Sequence, residues 1–172
     1  MASSRKYEIS YFTATILNWK FLLQNNDYKN IIIGSLRFLA EQKRILLHAF
    51  VLMDNHIHLL WHVNHPYLPD DVQRDFLKYT AQMIIKDLRN KDPEQLKEYF
   101  VGAKDRKYQI WERNPLTIEI WSEEVLKQKL EYIHMNPVKA GLCTNPEDYY
   151  FSSAAFYLTG SDNFGFISSC LM

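Results

Sequence analysis

Ile45-Leu46-Leu47-His48-Ala49-Phe50-Val51-Leu52-Met53-Asp54-Asn55-His56-Ile57-His58-Leu59-Leu60-Trp61 is the stretch that decides the fold. Its first half, Ile45 to Met53, is almost continuously apolar and reads as a buried strand. Asp54-Asn55 is a turn pair of the kind that joins antiparallel strands. His56 to Val63 then returns as a second strand. Side chains two apart on a strand share a face. His56 and His58 therefore project side by side, and Ile57 points to the core behind them. Two imidazoles on one face form half of a site for a divalent cation.

The flanking sequence supplies the other elements. Tyr7 to Leu17 is rich in β-branched and aromatic residues and reads as a first strand. Tyr28 to Lys43 has apolar residues at 31, 32, 36, 39 and 40, the spacing of a helix. After Pro66 and Pro69, Asp70 or Asp71 is expected to cap a second helix running to about Arg89. Pro93 to Phe100 is a short helix or ordered loop, and Gly102 to Lys107 a charged loop. Tyr108 to Trp121 holds a strand or hairpin interrupted at Asn114-Pro115. Ser122 is a good N-cap, followed by Glu123 and Glu124, where the helix dipole favours acids. That helix is expected to end or kink at Pro137. Short helical turns and a tail follow.

The order β-α-β-β-α-β-α is the split βαβ, ferredoxin-like arrangement. The expected class is α+β: an antiparallel sheet with helices on one face and an extra C-terminal helix. The middle hairpin is expected at the sheet centre. A length of 172 residues suggests a single domain. Its core would span about 7–155, with a tail over 156–172.

Composition narrows the function classes. Hydrophobic residues make up 47% of the chain, enough for a core and against disorder. Lys and Arg number 20, as do Asp and Glu, so the net charge of zero counts against nonspecific duplex binding. A local basic patch would draw on Arg5, Lys6, Lys104, Arg106, Lys107 and Lys139. Two cysteines without motif spacing suit a reduced, cytoplasmic protein. No apolar run approaches the roughly 18 residues that span a bilayer, and the N-terminus lacks an apolar signal core.

The last helix carries candidate chemistry. On a wheel of about 100° per residue, Leu126, Leu130 and Ile133 define its buried face. Tyr132 and Asn136 are one turn apart and lie on a flank of that face, together with Gln128 and Lys129. A phenol and an amide oxygen in this arrangement suit a nucleophile and a metal ligand. Lys129 is placed to assist the phenol. His134 falls about 200° from Tyr132 on the wheel and is a poor candidate for its base. Each signal alone also fits an ordinary sheet histidine or a helix-flank tyrosine, so the combination carries the argument.

The combination resembles the one-tyrosine HUH transposases. The apolar strand leads into His56-Ile57-His58, and Tyr132-Ile133-His134-Met135-Asn136-Pro137-Val138-Lys139-Ala140-Gly141-Leu142 follows on a later helix. This segment and Asp148-Tyr149-Tyr150-Phe151-Ser152-Ser153 are most similar to the REP-associated tyrosine transposases. The resemblance covers roughly residues 7–155. It implies that His56, His58 and Asn136 bind Mg²⁺ or Mn²⁺, with Asn136 standing where other members use Gln. It implies that Tyr132 attacks a phosphodiester and forms a 5′-phosphotyrosine, and that rejoining is the reverse step. The implied substrate is single-stranded DNA beside a hairpin, handled by a monomer or by a homodimer that shares the tyrosine helix. Trp111 and Trp121 would be stacking surfaces for bases, or core and edge residues. Two rivals remain: a non-catalytic hairpin-binding protein of the same fold, and a zinc hydrolase drawing on His62 and His65.

Overall fold

The computed structural model describes residues 8–171. Its centre is a four-stranded antiparallel sheet of β1 (Ile9–Thr15), β2 (Ile45–Leu52), β3 (His56–Val63) and β6 (Leu116–Glu119), in the order β2-β3-β1-β6. This is the ferredoxin-like order. Only one strand of the middle hairpin is central, because β1 inserts beside β3 and leaves β2 at the edge. The expectation that the whole hairpin occupies the centre is corrected accordingly.

Alternation along the strands sends two sets of side chains to two cores. Phe12, Ala14, Ile57, Leu59 and Trp61 join α1 (Asn26–Glu41) and α2 (Pro69–Lys91) in the larger core. Tyr11, Ala49, Val51 and Leu60 face the opposite way and join α4 (Glu123–Lys139). The helices α1 and α2 share one face, and the extra helix α4 covers the other. His56 and His58 have the parity of Leu60, so they lie on the α4 face.

Several boundaries differ from the sequence expectations. Leu68 caps α2, while Asp70 and Asp71 sit inside its first turn. Pro69 at the first helical position, with its preset φ, moves the start forward. After α3 (Pro93–Lys97), the charged loop is a short hairpin of β4 (Phe100–Ala103) and β5 (Arg106–Tyr108). Gly102, at φ +59°, supplies the left-handed backbone where the pairing shifts.

Pro137 does not end α4. The helix runs on to Lys139 and closes in a paired cap. The Leu142 amide donates to the Pro137 carbonyl at 2.9 Å, and Gly141 donates to Val138 at 3.0 Å. Gly141 has φ +75°, the left-handed residue this cap requires. The cap satisfies the last carbonyls one turn past the proline, so Asn136 stays helical. The Pro-Val-Lys-Ala-Gly-Leu segment is thus the terminator of the helix that bears Tyr132.

The chain after α4 closes the exposed edge of β2. The Leu52 amide donates to the Phe151 carbonyl, Ser153 donates to Phe50, and Ser168 donates to Leu47. Between these contacts lies α5 (Ala154–Thr159), and Phe164 is buried in the larger core. An unpaired strand edge is an aggregation risk, and this strap removes it.

Ile133 is fully buried at the centre of the α4 interface. Replacing it with Ala should destabilise the protein by about 2–4 kcal/mol through lost burial and a cavity. Urea denaturation checks the value, and a loss under about 1 kcal/mol would contradict the packing described.

Candidate active site

The antiparallel register brings β1 under β3 so that Thr13 pairs with His58 and Tyr11 with Leu60. Tyr11 and Thr13 share a face, and both reach the His58 ring. His58 Nδ1 lies 2.9 Å from the Tyr11 hydroxyl and 2.8 Å from Thr13 Oγ1. The Tyr11 and His58 rings stack with centroids 5.5 Å apart. His56 Nδ1 is held 2.7 Å from Asn55 Oδ1, in the turn before β3. That turn is anchored by Lys29 of α1, whose buried ammonium pairs with Asp54 at 2.8 Å. Both Nδ1 atoms are thus engaged by oxygens, and the two ring centroids are 4.7 Å apart.

From above, α4 completes the cluster. The Asn136 carboxamide lies 3.3 Å from His58 Nε2. One turn earlier, the Tyr132 ring meets the His58 ring edge-on at 5.4 Å and the Tyr11 ring at 6.4 Å. Tyr132 is 43% exposed, while His58 is buried. A buried imidazole therefore sits directly beside a solvent-accessible phenol. All four side chains come from one chain.

Two cations flank the phenol. Lys129 Nζ lies 4.6 Å from the Tyr11 ring centroid and 5.9 Å from that of Tyr132. Lys139 Nζ lies 5.8 Å from the Tyr132 ring centroid. These contacts place positive charge where an anion or phenolate would sit. Burial pushes the pKa of His58 down to about 3, aided by the nearby charges of His56 and Lys129. Burial also lowers His56, and its contact with Asn136 partly opposes this. Both shifts favour the neutral imidazole, the form a metal ligand needs. Tyr11 is raised by burial, so its hydroxyl stays protonated.

The other sequence candidates lie elsewhere or outside the described residues. Gln128 is exposed. Arg5 and Lys6 lie outside the described residues. Lys104, Arg106 and Lys107 belong to the β4–β5 hairpin. Arg106 and Lys107 line a groove of about 1070 Å³ against α2, with Arg74, Lys78 and Arg89. Among the described basic candidates, only Lys139 joins Tyr132. Trp111 is buried, and its indole donates to Thr80 Oγ1, so it offers no stacking face. Trp121 is exposed. His62 turns to Glu8, with Nδ1 at 2.8 Å from the backbone carbonyl, away from the other two imidazoles. Among the described residues, no three His, Cys, Asp or Glu side chains cluster as a metal site. Sequence reasoning missed Tyr11, Thr13 and Asn55. Their parity was visible, but the register that aims them at the imidazoles was not.

No protein-family model and no curated protein matches this chain. A solved structure does: a REP-associated tyrosine transposase bound to a REP hairpin, with a TM-score of 0.66 and 17% identity. That match covers 95% of this chain and 87% of the transposase. A protein from Deinococcus radiodurans, provisionally described as a transposase, also matches, with a TM-score of 0.49, 18% identity, 73% of this chain and 87% of that one. The chain has the mixed α/β fold of a transposase, built on a four-stranded antiparallel sheet. The particular version of that fold is the one seen in a REP-associated tyrosine transposase.

His134 stands apart from the cluster, buried on α4 with Nε2 2.8 Å from Ser153 Oγ. Burial lowers its pKa to about 4. The unfolded chain therefore binds a proton at this position before the folded chain does. The corresponding stability is full above about pH 6.5 and is lost as pH falls toward 4. His134→Gln should flatten the acid side of the stability curve by on the order of 2 kcal/mol at pH 4.5, read by urea denaturation across pH. An unchanged pH slope would contradict the assignment.

Proposed function

We propose that this protein is a transposase-like DNA strand transferase that cleaves and rejoins single-stranded DNA bearing a hairpin. The observation that carries the reading is the convergence of Tyr132, His56, His58 and Asn136 across the β3–α4 interface. The transposase with the same fold was solved with a REP hairpin, which supports a hairpin-bearing substrate.

The donor set fits a hard divalent cation. Two neutral imidazoles offer Nε2 lone pairs, and rotation of the Asn136 carboxamide aims Oδ1 at the same space. This open N,N,O set leaves room for phosphate oxygens and water, as Mg²⁺ and Mn²⁺ require. When bound by His56, His58 and Asn136, such a cation would polarise the scissile phosphate and stabilise charge on the leaving 3′ oxygen.

Tyr132 supplies the nucleophile. Its phenol releases a proton to solvent, and the phenolate oxygen forms a bond to phosphorus while the P–O3′ bond breaks. The leaving 3′ oxygen takes a proton from water. The product is a 5′-phosphotyrosine and a free 3′-OH, and the phosphodiester energy stays in the covalent link. Attack of a 3′-OH on that link rejoins the strand. Lys129 and Lys139 hold positive charge beside the phenol and the incoming phosphate. Tyr11 and Thr13 hold the His58 ring in place through its Nδ1.

Two experiments test this reading. With labelled hairpin-flanked single-stranded DNA from the borders of its own gene and Mn²⁺, the protein should form a denaturation-resistant adduct. Tyr132→Phe should abolish the adduct and keep DNA binding. An adduct that persists in the Phe variant would sink the assignment, and binding with no adduct in either protein would favour the non-catalytic binder. Separately, Thr13→Val with Tyr11→Phe should weaken Mn²⁺ affinity of the free protein about tenfold or more, measured by electron paramagnetic resonance. Unchanged Mn²⁺ affinity would remove these two side chains from the site.

A further inference from the structure

The turn that follows β1 is held in an uncommon conformation. Asn18 and Trp19 both have left-handed backbones, at φ +56° and +57°. A bulky side chain there is a true outlier, and two in a row are costlier still. The surrounding structure imposes the conformation. The Ile16 amide donates to Asn55, Leu17 donates to Ile110, and Trp19 donates back to Ile16. The Asn18 amide donates to a Glu112 carboxylate oxygen, and the Lys20 ammonium donates to the Glu98 carbonyl.

This strain does not bury the indole. Trp19 is 61% exposed, and its neighbour Phe21 is 66% exposed. The Trp19 ring sits edge-on to His56, with centroids 6.2 Å apart. A large aromatic surface is therefore fixed in solvent beside one of the two imidazoles. Strain of this kind, where the ring is left unpacked, points to a ligand-facing role.

We propose that Trp19 is a stacking platform for an unpaired nucleobase next to the phosphate handled at Tyr132. The inference rests on the single-strand reading of the site and adds a residue that recognises the strand. An indole face is sequence-tolerant, because every base has a π-face, and it needs no positive charge. It thus accounts for strand binding by a chain with a net charge of zero. It also selects single strands, since a base inside a duplex has no free face.

The test uses the full-length protein and two fluorescein-labelled probes, single-stranded dT16 and a 16-base-pair duplex, read by anisotropy. Trp19→Ala and Trp19→Gly should weaken dT16 binding about tenfold or more, Trp19→Phe should keep most of it, and duplex binding should not change. Trp19→Gly suits the left-handed backbone, so its Tm should equal or exceed that of the parent protein. Loss of binding without loss of stability separates recognition from a packing role. Unchanged dT16 affinity in Trp19→Ala, an equal loss on duplex, or a lower Tm in Trp19→Gly would each overturn the proposal. Failure of the parent protein to bind dT16 while it binds hairpin-flanked single-stranded DNA would overturn the sequence-tolerant platform, and failure on both would overturn the single-strand reading itself. Parent binding with indifferent Trp19 variants would overturn only this inference.

Discussion

The buried contact of His58 with two strands and a helix is the constraint on which the site depends. The imidazole is fixed from below by hydroxyls of β1, from the side by His56, and from above by Asn136 and Tyr132. None of these neighbours is close in sequence except His56. The ring is brought to them by one register, β1 on β3, and by one docking, α4 on the sheet. Burial keeps it neutral, and its nearest charges are cationic, which keeps it neutral further. A slip of one residue in β1 would reverse its faces and remove both hydroxyls.

The docking of α4 is equally specific. Leu126, Leu130 and Ile133 fix its rotation, and this rotation places Tyr132 and Asn136 on the flank over the histidines. The Gly141 cap lets the helix pass Pro137 and keeps Asn136 in register with Tyr132. The strap along β2, through Phe151 and Ser153, ties the C-terminal residues to the same sheet, and His134 joins helix and strap. The phenol stays exposed because the apolar work of holding α4 is done one face away.

Much of this was legible in the sequence. Alternation across His56-Ile57-His58 gave their common face, and the helical wheel put Tyr132 and Asn136 on the correct flank of α4. The β-α-β-β-α-β order gave the ferredoxin-like sheet. What was not legible depends on long-range pairing or on local rules that compete. Proline at 137 signals an end, yet the cap four residues later overrides it. Lys104, Arg106 and Lys107 read as part of a basic patch, but the fold places their hairpin beside α2, apart from Tyr132. Trp111 and Trp19 are both tryptophans near strand ends. Only the folded backbone distinguishes the one that fills the core from the one held out in solvent.

The most direct measurement is mass spectrometry of the DNA adduct after nuclease and trypsin digestion. Cleavage after Lys129 and Lys139 releases the peptide 130–139, which contains one tyrosine. The account predicts a 5′-linked nucleotide phosphate on that tyrosine, Tyr132. A phosphate on any other residue, or a peptide 130–139 that stays unmodified while an adduct is present elsewhere, would contradict it.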